Sequence, residues 1–545
     1  MRTPRPFHAI LLLLIAIPAA LFTSAQSPQK ADAATAVWWA QTTALSNDSM
    51  EGRDTGSEAY ERAAKYVAAQ FAAASLKPAG DNGTFFQRVP MHQTELDLAH
   101  SSVEIVTPYP SGSQAGKPLH TVPLKLLEEI TITPHQLVKT SAITKMVFLG
   151  YGLELPQPPS PDAKEFQGAT AVLFNNVPAA ISPEDRATFA RRRAELITKA
   201  GFGSIVSIDS PAAIEPTHWP AAYARTVVLQ PAPSPNNHAP LQLRISAEAA
   251  AKLFAAEPDH PFAEILRDGE KGLPLPGFPM HSGLNIEAQN VEKEISSPNI
   301  LAILPGSDPK LAPEYVALSA HLDGYGYGTS VLGDNLYNGT LDDAAYVALL
   351  IELAKDLQHN APARSFLFCI FTGEEKGLLG SAYFTQHLTV PKENIVADLN
   401  LDQLRPIFPL NNLTMEGLAD STLGDTVRTV AAPFKIEIRP DLEPERNLFR
   451  RADNYNFVRI GVPIAAFVFG YDKGSPEEVI YRDWYARRYH KPQDDIKTPI
   501  DWDAAAKFNR FYTALTIAIA NAPTRPQWLP ASPYSPHQTT TPSSR

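Results

Sequence analysis

Short apolar runs alternate with polar turns and helical stretches in the C-terminal half of the chain, beginning at about residue 299. The first run, 315–320, ends at a histidine and is followed, after a glycine-rich loop, by the helical pattern of 344–357. Further runs end in the same way at polar residues, at 365–371, 394–401 and 462–470. Strands that alternate with helices form open α/β sheets, and the strand ends of such sheets carry the chemistry. We therefore predict an α/β unit with its functional site at these ends.

The first half of the chain has a different pattern. Helical spacing extends over 32–76, and strand-like alternation begins near residue 103. Residues 168–209 follow as strand, helix and strand, without a cluster of metal-type ligands. A proline-rich stretch at 273–279 closes this part, and the pattern returns to strand and helix from 299. We therefore predict a β-rich accessory domain before the α/β unit.

The N-terminus resembles a secretory signal. Arg2 and Arg5 precede an apolar run at 9–22, and small residues follow, so we predict cleavage after Ala25. The run is shorter than the ~20 residues of a membrane-spanning helix, and no later stretch is long and apolar enough to span. A retained anchor is the alternative. The only cysteine, Cys369, excludes an intrachain disulfide, which in an exported protein suggests a periplasmic or extracellular location in bacteria.

Composition narrows the class of partner. The 545 residues include 58 acidic and 47 basic side chains, and the net charge of −11 is not gathered into long single-sign blocks. This argues against nucleic acid and fits an acidic site for cations. The length predicts two folded domains, and the terminal 522–545, rich in Pro, Ser and Thr, is predicted to be disordered.

Histidines and acids stand at the predicted strand ends and helix starts. The set comprises His321, Asp342, Glu375, Asp402 and His490. Imidazole and carboxylate ligands suit Zn²⁺ or a similar divalent ion. Five ligands are too many for one open tetrahedral site, whereas a carboxylate shared between two ions about 3.5–4 Å apart gives each ion three protein contacts. Asp342 lies centrally and is the natural bridge.

The order of motifs resembles the M28 family of zinc aminopeptidases. These motifs are HLD, an acid before a helix, GEE..GL.GS, NLDQ and YHKPQDD, and they cover roughly 295–500. The resemblance implies a mixed, mostly parallel sheet flanked by helices, as in zinc exopeptidases of the phosphorylase/hydrolase-like fold. The β-rich segment is similar in pattern and position to the protease-associated (PA) domain that such enzymes carry as an insert. The implied organisation is a signal peptide at 1–25, the front of the catalytic domain at 26–125, a PA-type insert at 126–284, the main catalytic part at 285–521 and a disordered tail at 522–545.

The resemblance also implies a role for each site residue. It implies one zinc ion on His321 and Asp402, a second on Glu375 and His490, and Asp342 bridging the two, although other divalent ions are possible. It implies that Glu374 acts as general base on water. Asp323 would accept the second ring N–H of His321 and so fix its tautomer. Tyr489 is a candidate hydrogen-bond donor to the developing oxyanion, with a packed aromatic as the alternative.

The chain departs from the family pattern at two places. Family members commonly continue the bridging acid with Asn-Ala-Ser-Gly, whereas Asp343-Ala-Ala-Tyr346 stands here. Asp343 is therefore an alternative bridge, although alignment of the following helix favours Asp342. The stretch around Asp453 departs from the usual Ser-Asp-His and leaves the role of that acid open.

The predicted function is a secreted or periplasmic two-zinc aminopeptidase that acts on peptides. A carboxypeptidase, a glutaminyl-cyclase-like enzyme and an inactive binding homologue of the same fold are the alternatives. The cyclases use one zinc ion, whereas the presence of both His321 and Asp402 favours two. A carboxypeptidase would need cations near the site, for which the arginine pairs at 450–451 and 487–488 are candidates. Serine-hydrolase G-x-S-x-G and zincin HExxH motifs are absent from the sequence. Side-chain preference and oligomeric state stay open.

Overall fold

The computed structural model describes residues 31–109, 119–134, 139–156, 165–182, 185–213, 218–232, 239–402 and 404–535. The signal peptide predicted at 1–25 lies outside these residues. None of the helices within the described ranges is long and apolar enough to cross a membrane.

The C-terminal half forms a mixed sheet whose centre is parallel, which confirms the predicted α/β class. The parallel strands lie in the order Ser365–Phe371, Tyr315–His321, Ile395–Asn400 and Ile464–Phe469. Antiparallel neighbours flank this centre on both sides, Phe278–Leu304 on one and Asn412–Glu416 on the other. The remaining strands of this sheet are Lys77–Pro78, Phe86–Leu96, Arg225–Leu229 and Glu437–Arg439.

Both faces of this sheet are covered by helices, because its central strands are apolar at consecutive positions. In the strand Tyr315–His321, Val316 and Leu318 belong to the core on one face, and Ala317 belongs to the core on the other. The first face is covered by Ala33–Ser46, Glu58–Ala73, Ala345–Leu357, Leu423–Ala431, Pro476–Arg487 and Trp502–Asn521. The second face is covered by Leu379–Gln386 and Asn454–Arg459.

A second, β-rich unit lies N-terminal to this sheet. Across its sheet the strands are His120–Leu124, Ser102–Thr107, the first part of Phe278–Leu304, Lys139–Phe148, Thr170–Asn175, Ser204–Asp209, Leu241–Ser246 and Ile130–Ile132. Its helices are Arg186–Ala200, Ala247–Ala250 and Phe262–Glu270. The strands at 102–107 and 120–124 precede the predicted start of the insert at 126, yet Val103 and Leu124 share its core. The sheet of the second unit therefore begins earlier in the chain than the predicted insert.

One strand, Phe278–Leu304, runs through both sheets. Its residues 283–287 pair with Ser102–Thr107 in the second unit, and its residues 290–300 pair with Phe86–Leu96 in the α/β unit. The strand Arg225–Leu229 also pairs with Phe86–Leu96, so the chain returns from the second unit onto the edge of the α/β sheet. The segment at 218–224 is thereby held near the strand ends of the α/β unit.

The structure differs from the predicted disordered tail over residues 522–535. The indole Nε1 of Trp528 donates a hydrogen bond to the carbonyl of Gly461 at 2.9 Å, and Tyr534 packs beside it against the core of the second face. The two aromatic side chains anchor a segment whose Pro and Ser content suggested no structure. The rest of the predicted tail, 536–545, lies outside the described residues.

Candidate metal centre

The predicted ligands meet at the carboxyl ends of the parallel strands. His321 is the last residue of its strand, Glu375 follows the strand Ser365–Phe371 through a tight turn, and Asp402 follows Ile395–Asn400. His490 comes just after the helix Pro476–Arg487. Asp342 lies in an irregular turn before the helix Ala345–Leu357, with extended rather than helical dihedral angles. Residues far apart in sequence are thus gathered because the sheet is parallel at its centre.

Asp342 lies between the two histidines. Its Oδ1 is 3.4 Å from Nε2 of His321, and its Oδ2 is 3.5 Å from Nε2 of His490. The neighbouring Asp343 does not share this position, since its Oδ2 instead accepts a hydrogen bond from the backbone N–H of His321 at 3.2 Å. Of the two acids between which the sequence left the bridge open, Asp342 is the one that faces both imidazoles.

Two sets of ligand atoms share this carboxylate. His321, Asp342 and Asp402 form one set, and Asp342, Glu375 and His490 form the other, with the atoms of each set within 4.8 Å of one another. In the described part of the chain, the buried Nε2 of His321 and Oδ2 of Asp342 lack a hydrogen-bond partner. Buried polar atoms are normally satisfied, so unsatisfied ones that converge on a point indicate a missing cation. The nitrogen and oxygen donors fit zinc or a similar divalent ion.

The orientation of His321 is set by a backbone group. Its Nδ1 lies 3.0 Å from the carbonyl oxygen of Asp323 but 3.8 Å from the nearer carboxylate oxygen of that residue. The Asp323 carboxylate accepts hydrogen bonds from Thr55 Oγ1 at 2.9 Å and from the backbone N–H of Glu374 at 3.0 Å. The structure therefore differs from the prediction that the Asp323 carboxylate holds the ring, because the strand-end bend turns its carbonyl toward Nδ1.

Tyr325 orients the other histidine. Its hydroxyl lies 2.9 Å from Nδ1 of His490, and its ring packs against the imidazole at 4.7 Å between centroids. Tyr325 lies just before the hairpin formed by Gly326–Val331 and Asp334–Tyr337. Sequence reasoning missed it, because only the fold brings residue 325 beside residue 490.

Buried charges around the bridge were also missed. Burial by itself would raise the pKa of Asp342, but the Arg405 guanidinium, 3.4 Å from its Oδ1, and the two histidines outweigh this and lower it. The Asp494 carboxylate accepts the backbone N–H of Asp342 at 3.1 Å, and burial together with the charge of Asp342 raises the pKa of Asp494 to about 7. Arg53 donates to the carbonyls of Asn338 and Gly339, both at 2.8 Å, and so fixes the loop before the bridge. Asp494 stands within the YHKPQDD motif, but the motif does not indicate these contacts, and Arg53 lies outside the motifs of the sequence analysis.

Glu374 lies beside the centre without belonging to either ligand set. Its Oε2 is 3.9 Å from Nε2 of His321, and its side chain is 10% exposed. Burial raises the pKa of Glu374 well above its usual value, although the nearby His321 opposes this. A carboxylate at this distance is placed to exchange a proton with a water held at the centre.

Tyr489 packs in an aromatic cluster. Its ring stacks on His490 with centroids 3.7 Å apart and lies 4.8 Å from Tyr485. This contact supports the ring of the ligand, while the predicted role as oxyanion donor stays a prediction. Of the arginines considered for a carboxypeptidase, Arg487 pairs with Asp483 and is 77% exposed, and Arg488 donates to the carbonyl of Gln493.

The second unit reaches the centre through 218–225. Tyr223 stacks on Tyr325, and its hydroxyl accepts a hydrogen bond from Lys376, which follows the ligand Glu375. Arg225 forms a two-pronged ion pair with Asp54 at 2.7 and 2.8 Å. Neither ligand set contains a described residue from the predicted insert.

Comparison with known proteins places this geometry in context. The model of peptidase family M28 matches residues 299–516. Aminopeptidase YwaD of Bacillus subtilis is 23% identical over 252 residues, which cover 44% of this chain and 50% of that protein. A probable leucine aminopeptidase 2 of Aspergillus oryzae is 28% identical over 166 residues, covering 29% of this chain and 31% of that protein. The chain thus spans half or less of the length of these curated relatives.

Solved structures share the fold over most of both chains. An aminopeptidase from Aneurinibacillus sp. strain AM-1 superposes with a TM-score of 0.54 at 15% identity, covering 88% of this chain and 93% of that chain. BSAP, a zinc aminopeptidase from Bacillus subtilis, superposes with a TM-score of 0.50 at 16% identity, covering 88% and 94%. At such identity the likeness establishes the fold and leaves the chemistry to the site.

Proposed function

Because the chain is a member of peptidase family M28, with residues 299–516 matching the family, we propose that it is a zinc-dependent aminopeptidase that releases residues from the free N-termini of peptides. The observation that carries this proposal is the position of Asp342, whose two carboxylate oxygens face His321 and His490 at 3.4 and 3.5 Å. A carboxylate shared by two ligand sets is the arrangement that two-metal hydrolases use.

The ligand sets fit two zinc ions. His321 and Asp402 would hold one ion, Glu375 and His490 would hold the other, and Asp342 would contact both. When bound, zinc supplies Lewis-acid polarisation of a peptide carbonyl and a water that ionises near neutral pH. We assign these ligand roles from the chemistry of the donor atoms and from their short distances to one another.

The protein contributes proton transfer and orientation. Glu374 accepts a proton from the attacking water and later donates it to the departing amine, for which its place 3.9 Å from the His321 nitrogen is suitable. The Asp323 carbonyl and the Tyr325 hydroxyl hold the two imidazoles with Nε2 turned inward. Arg405 contacts the carboxylate of Asp342, and Asp494 accepts a hydrogen bond from its backbone N–H, so that both residues hold Asp342 in position.

Retention of both ligand sets favours an active two-metal enzyme over the inactive homologue and over a one-zinc cyclase. The test combines elemental analysis of the purified protein with kcat/KM for peptides that are blocked at either end. We expect two equivalents of zinc and a loss of at least ~10²-fold when the N-terminus is acetylated, because a charged contact of the amine is then lost. Unchanged rates with blocked N-termini, together with loss on C-terminal amidation, would instead identify a carboxypeptidase.

We also propose that the protein acts outside the cytoplasm, in the periplasm or the medium. The support is the charged, apolar and small-residue order of the first 25 residues. Cell fractionation and N-terminal sequencing of the recovered protein test this, with cleavage after Ala25 as the expected result. Recovery of the uncleaved chain in the membrane fraction would support the anchor.

A further inference from the structure

A cavity of about 600 Å³ lies between the two units. The second unit contributes one wall from 209–213, 218–219 and 246–248, and the α/β unit contributes the other from Arg446 and 482–491. Cavities that bind small ligands commonly measure about 300–1,000 Å³ and often lie between domains. The cavity has room for a few amino-acid residues.

This cavity adjoins the metal centre. Lys491 lines both the cavity and the narrow cleft that contains Asp342, Glu375 and His490. His218, on the wall from the second unit, packs edge-on against Tyr489 and His490 at 5.7 and 6.1 Å between ring centroids. The cleft itself is too narrow for more than the end of a substrate, so a peptide whose scissile bond lies at the centre must continue into the cavity.

The arginines in the cavity wall already have acidic partners. Arg446 and Arg482 both contact the carboxylate of Glu443, and Arg482 also pairs with Glu478. On the other wall, the buried Asp209 is held by Arg244 and by Trp219. These charges therefore balance within the protein.

Lys491 is different. Its Nζ donates to the carbonyl of Ala486 at 2.5 Å, and within the described ranges no carboxylate lies within 4.0 Å of it. An ammonium group has three donors, so donors remain for a ligand. Glu248 on the far wall is exposed, where solvent and salt weaken its charge.

We propose that this cavity is the subsite for the part of the substrate on the C-terminal side of the scissile bond, and that Lys491 binds a carboxylate there. The carboxylate is the C-terminus of a di- or tripeptide, which makes short peptides the preferred substrates. This inference rests on the proposed peptidase function and adds the substrate class. An acidic side chain near the scissile bond offers the same chemistry, and the test separates the two.

The experiment compares substrates within each enzyme variant. The zinc-loaded full chain is given Leu-Ala-Ala and Leu-Ala-Ala amide, and kcat/KM is measured by chromatography of released leucine. We expect amidation to lower kcat/KM of the wild type by about tenfold or more, mainly through KM, because a charged contact is lost. In Lys491→Met the two substrates should differ by less than about twofold, and Lys491→Arg should keep part of the preference. The ratio between two substrates does not depend on how much of a variant is correctly folded or loaded with zinc.

Lys497→Met is the matched control, because Lys497 is 85% exposed and pairs with Asp495. It should keep the wild-type preference. A second pair, Leu-Glu-Ala amide and Leu-Gln-Ala amide, isolates the side chain, and a preference for the glutamate peptide that disappears in Lys491→Met would overturn the assignment to the C-terminus. Equal wild-type rates on the free and amidated tripeptides would overturn the subsite while leaving the peptidase intact. Absence of hydrolysis of every peptide by the zinc-loaded protein would defeat the proposed function itself.

Discussion

Both units of the molecule place a buried acid at the carboxyl edge of parallel strands, but the two acids differ in their hydrogen-bond partners. In the second unit, Asp209 closes its strand and is 5% exposed, and its oxygens are contacted by Arg244, Asn175 and the indole of Trp219 at 3.1 to 3.3 Å. In the α/β unit, the equally buried Asp342 keeps one oxygen without a hydrogen-bond partner among the described residues. A buried acid at this edge of a sheet is therefore a ligand candidate when an oxygen of its carboxylate lacks a partner from the protein.

The largest effect is expected from the bridging acid. Asp342→Asn keeps the shape of the side chain but removes its charge, so the zinc content should fall by at least half and peptide hydrolysis should fall to the level of the metal-free protein. Asp209→Asn is the matched variant in the second unit and should retain the zinc content of the wild type. Equal zinc content in the two variants, measured by mass spectrometry, would contradict the distinction between the two edges.

The second-largest effect is expected at Glu374, whose role should differ from that of its neighbour Glu375. Glu374→Gln should lower kcat by about 10²–10⁴-fold while leaving the zinc content unchanged, because the residue acts on the proton of water and not on the metal. Glu375→Gln should weaken zinc binding instead. Titration with a competing chelator, read beside single-turnover rates, checks both. If Glu374→Gln lost zinc as readily as Glu375→Gln, Glu374 would be a ligand.

Removal of the Tyr325 hydroxyl should have an intermediate effect. Tyr325→Phe leaves Nδ1 of His490 without its partner and should weaken zinc affinity by about 10–100-fold, which is the usual range for a group that orients a ligand. Tyr327→Phe, in the same loop but 58% exposed, is the control. Competition with a zinc indicator measures the affinity. An unchanged affinity would show that packing alone holds the imidazole.

The smallest effect is expected when Asp209 loses one of its hydrogen-bond partners and so becomes more similar to Asp342. Arg244→Met removes one partner of Asp209 and should lower the free energy of unfolding by about 1 kcal/mol, because the arginine is 41% exposed and its charge is screened. Arg267→Met breaks a surface pair with Asp268 and should have no measurable effect on the free energy of unfolding. Urea unfolding compares them. We do not expect Arg244→Met to bind metal. A gain of metal binding would show that the loss of one partner is enough to make Asp209 a ligand.

The α/β class and the proximity of the candidate ligands could be predicted from the sequence because both depend on local order. Apolar runs that end at His321 or Asp402 determine where strands stop, and parallel pairing then brings the ends together. The supporting contacts could not be found in this way. The hydrogen bond between Tyr325 and His490 joins residues 165 positions apart, and the one from Arg53 to Asn338 joins residues 285 positions apart. The hydrophobic pattern of a sequence describes neighbouring residues and cannot indicate contacts between residues so far apart.

Two other differences have local causes. For Asp323, the sequence identified the residue but could not tell its carbonyl from its carboxylate, since this choice depends on backbone direction after the strand. For 522–535, composition suggested disorder, whereas the partly buried Trp528 packs against the core of the second face and donates a hydrogen bond. In both cases a single group, the Asp323 carbonyl or the Trp528 side chain, decides a local structure that the composition or pattern of the segment does not predict.

The strand Phe278–Leu304 has a mechanical consequence. Because this one continuous strand is hydrogen-bonded into both sheets, it holds the two units rigidly together and does not act as a hinge. Rigid-body swinging of one unit would have to bend this strand near residues 287–290, where its pairing passes from one sheet to the other, so we expect the cavity to open through side chains and short loops such as 218–224. For protein engineering, this means that the second unit is not a separate cassette, since its removal cuts a strand shared by both sheets and also takes away Arg225–Leu229, which pairs with Phe86–Leu96 in the α/β sheet.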